Sequence, residues 1–234
     1  NEYSIRASRR KLQMKCVLNY FVLIVAVVAC KKVPEPITFS GTQDSTEYIL
    51  NKNNIGDWEG DTTYWRIEGN TLISEVTPGH PLSTNPFLIW KRESADFELK
   101  AEFRISESGN SGINYRSEKI ENNTYALRGY QCDIDGKHTY TGQNYEERGR
   151  TTLAYPGEAV FVEPSENSDL STNIINNTWS NRRVLDGSTA KPLNFFIDEQ
   201  GWNECHLVVK GNSLKHYINN VLASYVIDND TINR

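Results

Sequence analysis

Between Asp96 and Ser106 apolar and polar side chains alternate without a break. Phe97, Leu99, Ala101, Phe103 and Ile105 fall on one side, and Glu98, Lys100, Glu102 and Arg104 on the other. A period of two marks a β-strand with one face on a core and one in water. Comparable runs recur in TYWRIEGNTLISEV, PFLIWKR, GINYRS, GYQCDID, GEAVFV, NECHLVVKG, SLKHYIN and VLASYVID. Glu68-Gly69-Asn70 and Lys210-Gly211-Asn212 predict tight turns between them. Asn219-Asn220 predicts a two-residue hairpin loop, because Asn tolerates the positive φ such loops require. No long window carries a helical period; the best short candidate is Ser45–Leu50. Many short strands with frequent turns predict an all-β sandwich or barrel. The polar stretch 163–192 reads as a functional or disordered excursion, with Trp179, Arg182 and Arg183 its most informative side chains.

One strand inverts the usual order. In GYQCDID, Gln131, Asp133 and Asp135 share a face, and Tyr130, Cys132 and Ile134 share the other. Carboxylates two residues apart on a strand lie about 7 Å apart at the backbone. That spacing suits sugar hydroxyls, a cation or a shared proton; a solvated strand face is the plainer alternative. Gln131 stands where a two-carboxylate glycosidase would place an acid, so that mechanism lacks a partner. Tyr145, Glu147 and Arg150 follow in YTGQNYEERGR, able to close over a polyol and polarise a carbonyl, or to form an exposed salt-bridged loop. Asn114 and Arg116 share a face of GINYRS; an Arg there could hold an enolate or carboxylate through two parallel hydrogen bonds, although on strands it is more often a surface charge. His216 shares its face with Leu214 and Ile218, which favours a packed histidine over a base. His138, in the loop after Asp135, is a candidate substrate contact. Trp65 and Trp90 lie in alternating segments and read as core.

The amino terminus changes the picture of where the protein works. From the sole methionine the chain reads MKCVLNYFVLIVAVVACKK, a basic start, an apolar run and a small residue before Cys30. This is a secretion signal, and its apolar run is shorter than the roughly 20 residues that span a bilayer. Val27-Val28-Ala29-Cys30 further matches a bacterial lipobox, with Cys30 as the lipidated residue. The expected organisation is therefore an over-extended reading frame at 1–13, a lipoprotein signal at 14–29, a tether at 30–37 and a single domain over 38–234. The expected location is the cell envelope, with membrane attachment through the lipid on Cys30. Loss of residues 1–29 moves the net charge from −5 to −9, which argues against nucleic acid as a partner. Cys132 and Cys205 could form one disulfide in an oxidising compartment, but both sit on the apolar sides of strands, which favours buried free thiols over a bridge. No CxxC or HExxH motif supports zinc, and no cofactor is implied. A hard cation such as calcium would suit Asp133 and Asp135, but two ligands are too few to assign one.

DWEG, YWRIEGNTLISE, NPFLIWKRESADFELKAEFRIS, GNSGINYRS, GYQCDID, YTGQNYEERGRTTLAYPGE and GWNECHLVVKGNSLKHYINNV occur here in that order. Together they closely resemble the 3-keto-disaccharide hydrolase domain family of secreted and lipid-anchored bacterial proteins, over about residues 38–230. The resemblance implies a concanavalin A-like jelly roll of two antiparallel sheets. It also implies cleavage of glycosides already oxidised to a ketone at sugar C3. Such a ketone acidifies the C2 proton; a base removes it, and the aglycone leaves C1 by β-elimination before water adds. That route needs one base and an oxyanion stabiliser. On this resemblance Asp133 or Glu147 is the base, with His216 in reserve; Arg116 or Arg150 stabilises the enolate; and Gln131, Asp135, Tyr145 and His138 hold substrate. The expected partner is an oxidised glycoside or oligosaccharide. A lipid-anchored, lectin-like carbohydrate-binding module is the alternative. Members usually continue with a further strand that closes a sheet, whereas this chain stops at IDNDTINR, so an open sheet edge is expected.

Overall fold

In a computed structural model, the described residues are 2–6, 47, 49–50, 55–122, 125–191 and 197–233. The expected signal, lipobox with Cys30 and tether lie outside them. So does half of the Ser45–Leu50 helix candidate, whose described members are not helical.

The strands are β1 (Glu2–Arg6), β2 (Trp58–Glu59), β3 (Trp65–Glu68), β4 (Thr71–Glu75), β5 (Ile89–Trp90), β6 (Phe97–Ile105), β7 (Asn110–Lys119), β8 (Leu127–Asp135) and β9 (Asn144–Glu147). They continue with β10 (Thr151–Ala154), β11 (Ala159–Val162), β12 (Ile174–Ile175), β13 (Thr178–Trp179), β14 (Arg182–Val184), β15 (Asn203–Lys210), β16 (Ser213–Ile218) and β17 (Val221–Asp228). One sheet has the order β14-β11-β17-β16-β15-β6-β1-β4-β3, a second β12-β13-β10-β9-β8-β7, and β2 and β5 form a small ribbon. The result is a β-sandwich of the expected jelly-roll type. Its sheets are not wholly antiparallel, since β11 runs parallel to β17 and β10 parallel to β13.

The alternation read in the sequence becomes the core. In β6, Ala101, Phe103 and Ile105 are buried while Glu98, Lys100 and Arg104 are exposed. In β15 and β16, Cys205, Leu207, Val209, Leu214 and Ile218 are buried, facing Tyr130, Cys132 and Ile134 of β8 within one apolar cluster. Burial at about 25 cal/mol per Å² of apolar surface drives this apposition. The hairpin at Asn219-Asn220 has positive φ at both residues, 49° and 67°, as its sequence required.

Two segments differ from expectation. Residues 163–192 are not a simple loop: they supply β12, β13 and β14, and Trp179 is fully buried in the core. Glu2–Arg6, within the stretch set aside as lying outside the fold, forms β1 between β4 and β6, antiparallel to both.

Candidate active site

β8 carries its polar residues on the outer face of the six-stranded sheet, and that face is covered. Gln131 and Asp133 are each only 9% exposed, which rules out a merely solvated strand face. The registers Asn114↔Gln131, Gln131↔Tyr145 and Tyr145↔Thr152 align four strands here, because directly opposed residues point to the same side. Gly112, opposite Asp133, leaves the room that the Gln131 side chain needs: a Cβ there would lie 2.6 Å from Gln131 Cγ and Cδ. Gln143, Tyr145 and Glu147 alternate into the same face from β9 and the residue before it. The segment 84–87 comes over this region: Asn85 donates to Glu147 Oε1 at 3.4 Å, and Arg148 donates to Thr84 Oγ1 at 2.7 Å.

Asp133 is the electrostatic centre of the face. Gln131 Nε2 donates to its Oδ1 at 2.5 Å, and Gln143 Nε2 donates to its Oδ2. Burial penalises its charged form, and the neighbouring Asp135 and Glu147 charges add to that, while the two amides pull the other way. The balance lifts its pKa to about 7. Tyr145 is likewise pushed above the ordinary phenol value, by burial first and then by the charges of Glu147 and Asp133. Both amide atoms of Asn114, and Oε1 of Gln143, are buried without a hydrogen-bond partner. An unpaired buried polar atom costs about 1–3 kcal/mol, so these atoms on the face of Gln131 and Asp133 have bonding capacity left for a water or a polar ligand.

Other residues singled out in the sequence lie elsewhere. Asp135 uses its carboxylate on its own loop, accepting from Thr139 N, Tyr140 N and Thr141 Oγ1 at 2.8–3.0 Å. Among the described residues, no group of three or more His, Cys, Asp or Glu side chains could hold a metal ion. His138 is buried in that loop with φ 55°, and its Nδ1 has no partner.

His216 is not at the face. It lies fully buried between the sheets, where Tyr115 Oη meets Nε2 at 2.8 Å and the carbonyls of Gly142 and Gln143 lie 3.3 Å from Nδ1. Those carbonyls can only accept, so Nδ1 carries a proton. Burial depresses its pKa to about 4.

Arg150 is also interior, with no exposed surface. It donates to both Glu146 oxygens and both Asp228 oxygens at 2.6–3.1 Å, and lies 3.3 Å from Tyr130 Oη. Glu146 alternates with Tyr145 and Glu147 on β9 and so faces the core. Arg116 leaves the face because the β7–β8 register shifts between Tyr115 and Glu118 and Arg116 adopts φ 47°. It reaches Asp96, the Ala95 carbonyl and the Gly211 carbonyl of the other sheet. Neither arginine thus stands beside Asp133. The nearest basic group to Glu147 is Arg148, at 3.9 Å.

Sequence reasoning passed over Gln143 and Asn85 and gave Asn114 no role. The period of two running back from Glu147 through Tyr145 was the available signal for Gln143. Nothing local signalled Asn85.

Residues 45–234 match the family described as the 3-keto-alpha-glucoside-1,2-lyase-like domain, and the chain belongs to that family. No curated protein matches the chain.

Proposed function

We propose that this member of the 3-keto-alpha-glucoside-1,2-lyase-like family cleaves 3-keto-glycosides by proton abstraction at C2, with Asp133 as the base. The observation that carries the reading is a buried carboxyl, raised to about 7 and steadied by two amides, beside polar atoms that lack partners. A carbohydrate-binding module would use the same amides but has no need to desolvate a carboxyl among them. A carboxylate with this pKa is a stronger base than an ordinary one and is half ionised near neutrality, the condition that favours general-base catalysis.

In the step itself, Asp133 takes the C2 proton and the electron pair flows into the C3 carbonyl, giving an enolate. Collapse of the enolate breaks the C1–O bond and expels the aglycone, which takes up the proton from Asp133 and leaves as the alcohol; water then adds across the resulting C1–C2 double bond to give net hydrolysis. With both arginines engaged elsewhere, the donors facing the enolate oxygen are neutral: the Asn114 amide and the Tyr145 hydroxyl. Gln131 and Gln143 keep the carboxylate aimed at the substrate, and Glu147 lines the same face.

The test compares a 3-keto-glucoside carrying a chromogenic aglycone with its unoxidised parent. Release from the keto sugar alone is expected. Asp133→Asn should lower the rate by about 100-fold or more, and Glu147→Gln by much less. Equal release from both sugars, or an Asp133→Asn variant with full activity, overturns the assignment.

A further inference from the structure

Two thiols meet in the middle of the sandwich. Cys132 lies on the inner face of β8 in one sheet, and Cys205 on the inner face of β15 in the other; both are free and fully buried. Their sulfurs are 3.6 Å apart, although the residues are separated by 73 positions in the chain. Cys132 points away from the face that holds Asp133, its neighbour in β8, so the pair is no part of the proposed active site.

We propose that Cys132 and Cys205 form an oxidation site that closes into a disulfide joining the two sheets. Bridge formation requires the sulfurs to approach from 3.6 Å to about 2.05 Å. Shared between two side chains, this is under an ångström each, within reach of small side-chain torsions and a slight local approach of β8 and β15. The oxidant is a disulfide, either a thiol–disulfide oxidoreductase or a low-molecular-weight disulfide such as oxidised glutathione. One cysteine thiolate attacks it and forms a mixed disulfide; the second thiolate attacks that sulfur and releases the carrier thiol. The two cysteines give up two protons and two electrons, and the oxidant becomes two thiols.

Burial decides when this happens. No disulfide carrier reaches either sulfur once the sheets have closed, and burial pushes the Cys132 thiol above its usual range, away from the reactive thiolate. The exchange therefore belongs to folding, before β8 and β15 dock. After docking, the same burial shields the bridge from reductants. It acts as a permanent cross-brace and not as a switch.

The experiment uses the full chain with Cys16→Ala and Cys30→Ala, which leaves only this pair of thiols. The denatured, reduced protein is refolded in a glutathione redox buffer. The soluble product is alkylated in denaturant without reductant, digested and mapped by mass spectrometry. The expected result is a peptide linking Cys132 to Cys205, with Tm falling by about 10 °C on full reduction, as expected for closing a loop of this length. A Cys132→Ala/Cys205→Ala chain should show no response to dithiothreitol; if it fails to fold, the peptide map still decides. Alkylation of both cysteines, glutathione adducts on either, or a bridge that leaves Tm unchanged would overturn the proposal.

Discussion

Two buried titratable groups, Asp133 on the outer face of one sheet and His216 between the sheets, oppose one another in a way that stability measurements can resolve. Asp133 has a pKa of about 7 in the folded protein against 3.8 for the free side chain, so between those values the folded state holds a proton that the unfolded state has lost. Stability from this group is present at low pH and disappears as pH rises through 7. At 1.36 kcal/mol per factor of ten in proton affinity, the loss is about 4 kcal/mol. His216 works in the other direction. Its folded pKa is about 4 against 6.5, so the unfolded state holds the extra proton between them. Stability from the neutral imidazole is present above 6.5 and is lost as pH falls through 4, by about 3 kcal/mol.

The wild-type protein should therefore show a nearly level stability profile from pH 4 to 7, with a net change of only about 1 kcal/mol from these groups. Asp133→Asn removes one arm. Its unfolding free energy, from urea titrations at half-unit pH steps, should climb by about 3 kcal/mol across the same range. A lost or rearranged amide contact at position 133 would displace the whole curve without tilting it. Asp61, Asp169 and Asp230 have pKa values below the usual carboxylate range, so their contributions fall below this window and cancel between the two proteins. Parallel curves for wild type and variant would refute the reasoning: Asp133 would then ionise like any solvated carboxyl, and its nomination as base would lose its support.

Three further outcomes follow from named contacts. Gln131→Leu and Gln143→Leu each remove an amide that favours the Asp133 carboxylate; each should move the rising limb of the kcat/KM profile above pH 7, and an unchanged limb would separate Asp133 from the observed rate. Asn114→Ala deletes a buried amide with no internal partner, so it should lower kcat and kcat/KM about tenfold or more with little change in KM while leaving Tm within a few degrees of wild type, read by steady-state kinetics and calorimetry. Arg150→Met leaves Glu146 and Asp228 buried without their cation, and a loss of about 3–5 kcal/mol should appear as a collapse in soluble yield or urea midpoint; a stable, active variant would contradict the network's structural role.

The sequence exposed most of the scaffold because strand burial writes a period of two. Phe97 to Ile105, Asn203 to Lys210 and Ser213 to Ile218 occupy the strands their alternation required. β9, only four residues long, escaped detection because its inward positions are Asn144 and Glu146, which imitate a polar loop. The same mixture misled the site reading. Tyr145, Glu147 and Arg150 are close in sequence, but alternation sends the first two to the outer face, and the turn after β9 carries Arg150 into the core. A register shift took Arg116 off the face towards Asp96 and Gly211, and no local pattern announces such a shift. The polar face of β8 was legible; its desolvation was not, because an alternating polar strand face has the same sequence pattern whether it is covered or solvated.

The loop anchored by Asp135 has a consequence for how such a protein changes over evolutionary time. At its end, the Gly142 carbonyl accepts from Ser224 Oγ in the other sheet at 2.7 Å, and the Gly142 and Gln143 carbonyls contact His216 Nδ1. The Gln143 side chain, on the far side of the same backbone, holds Asp133. A drift at position 216 or 224 is therefore felt at the carboxyl without touching the outer face. Positions 143, 216 and 224 should accept substitutions jointly in lineages that keep the chemistry, and loosen one by one in lineages that have abandoned it.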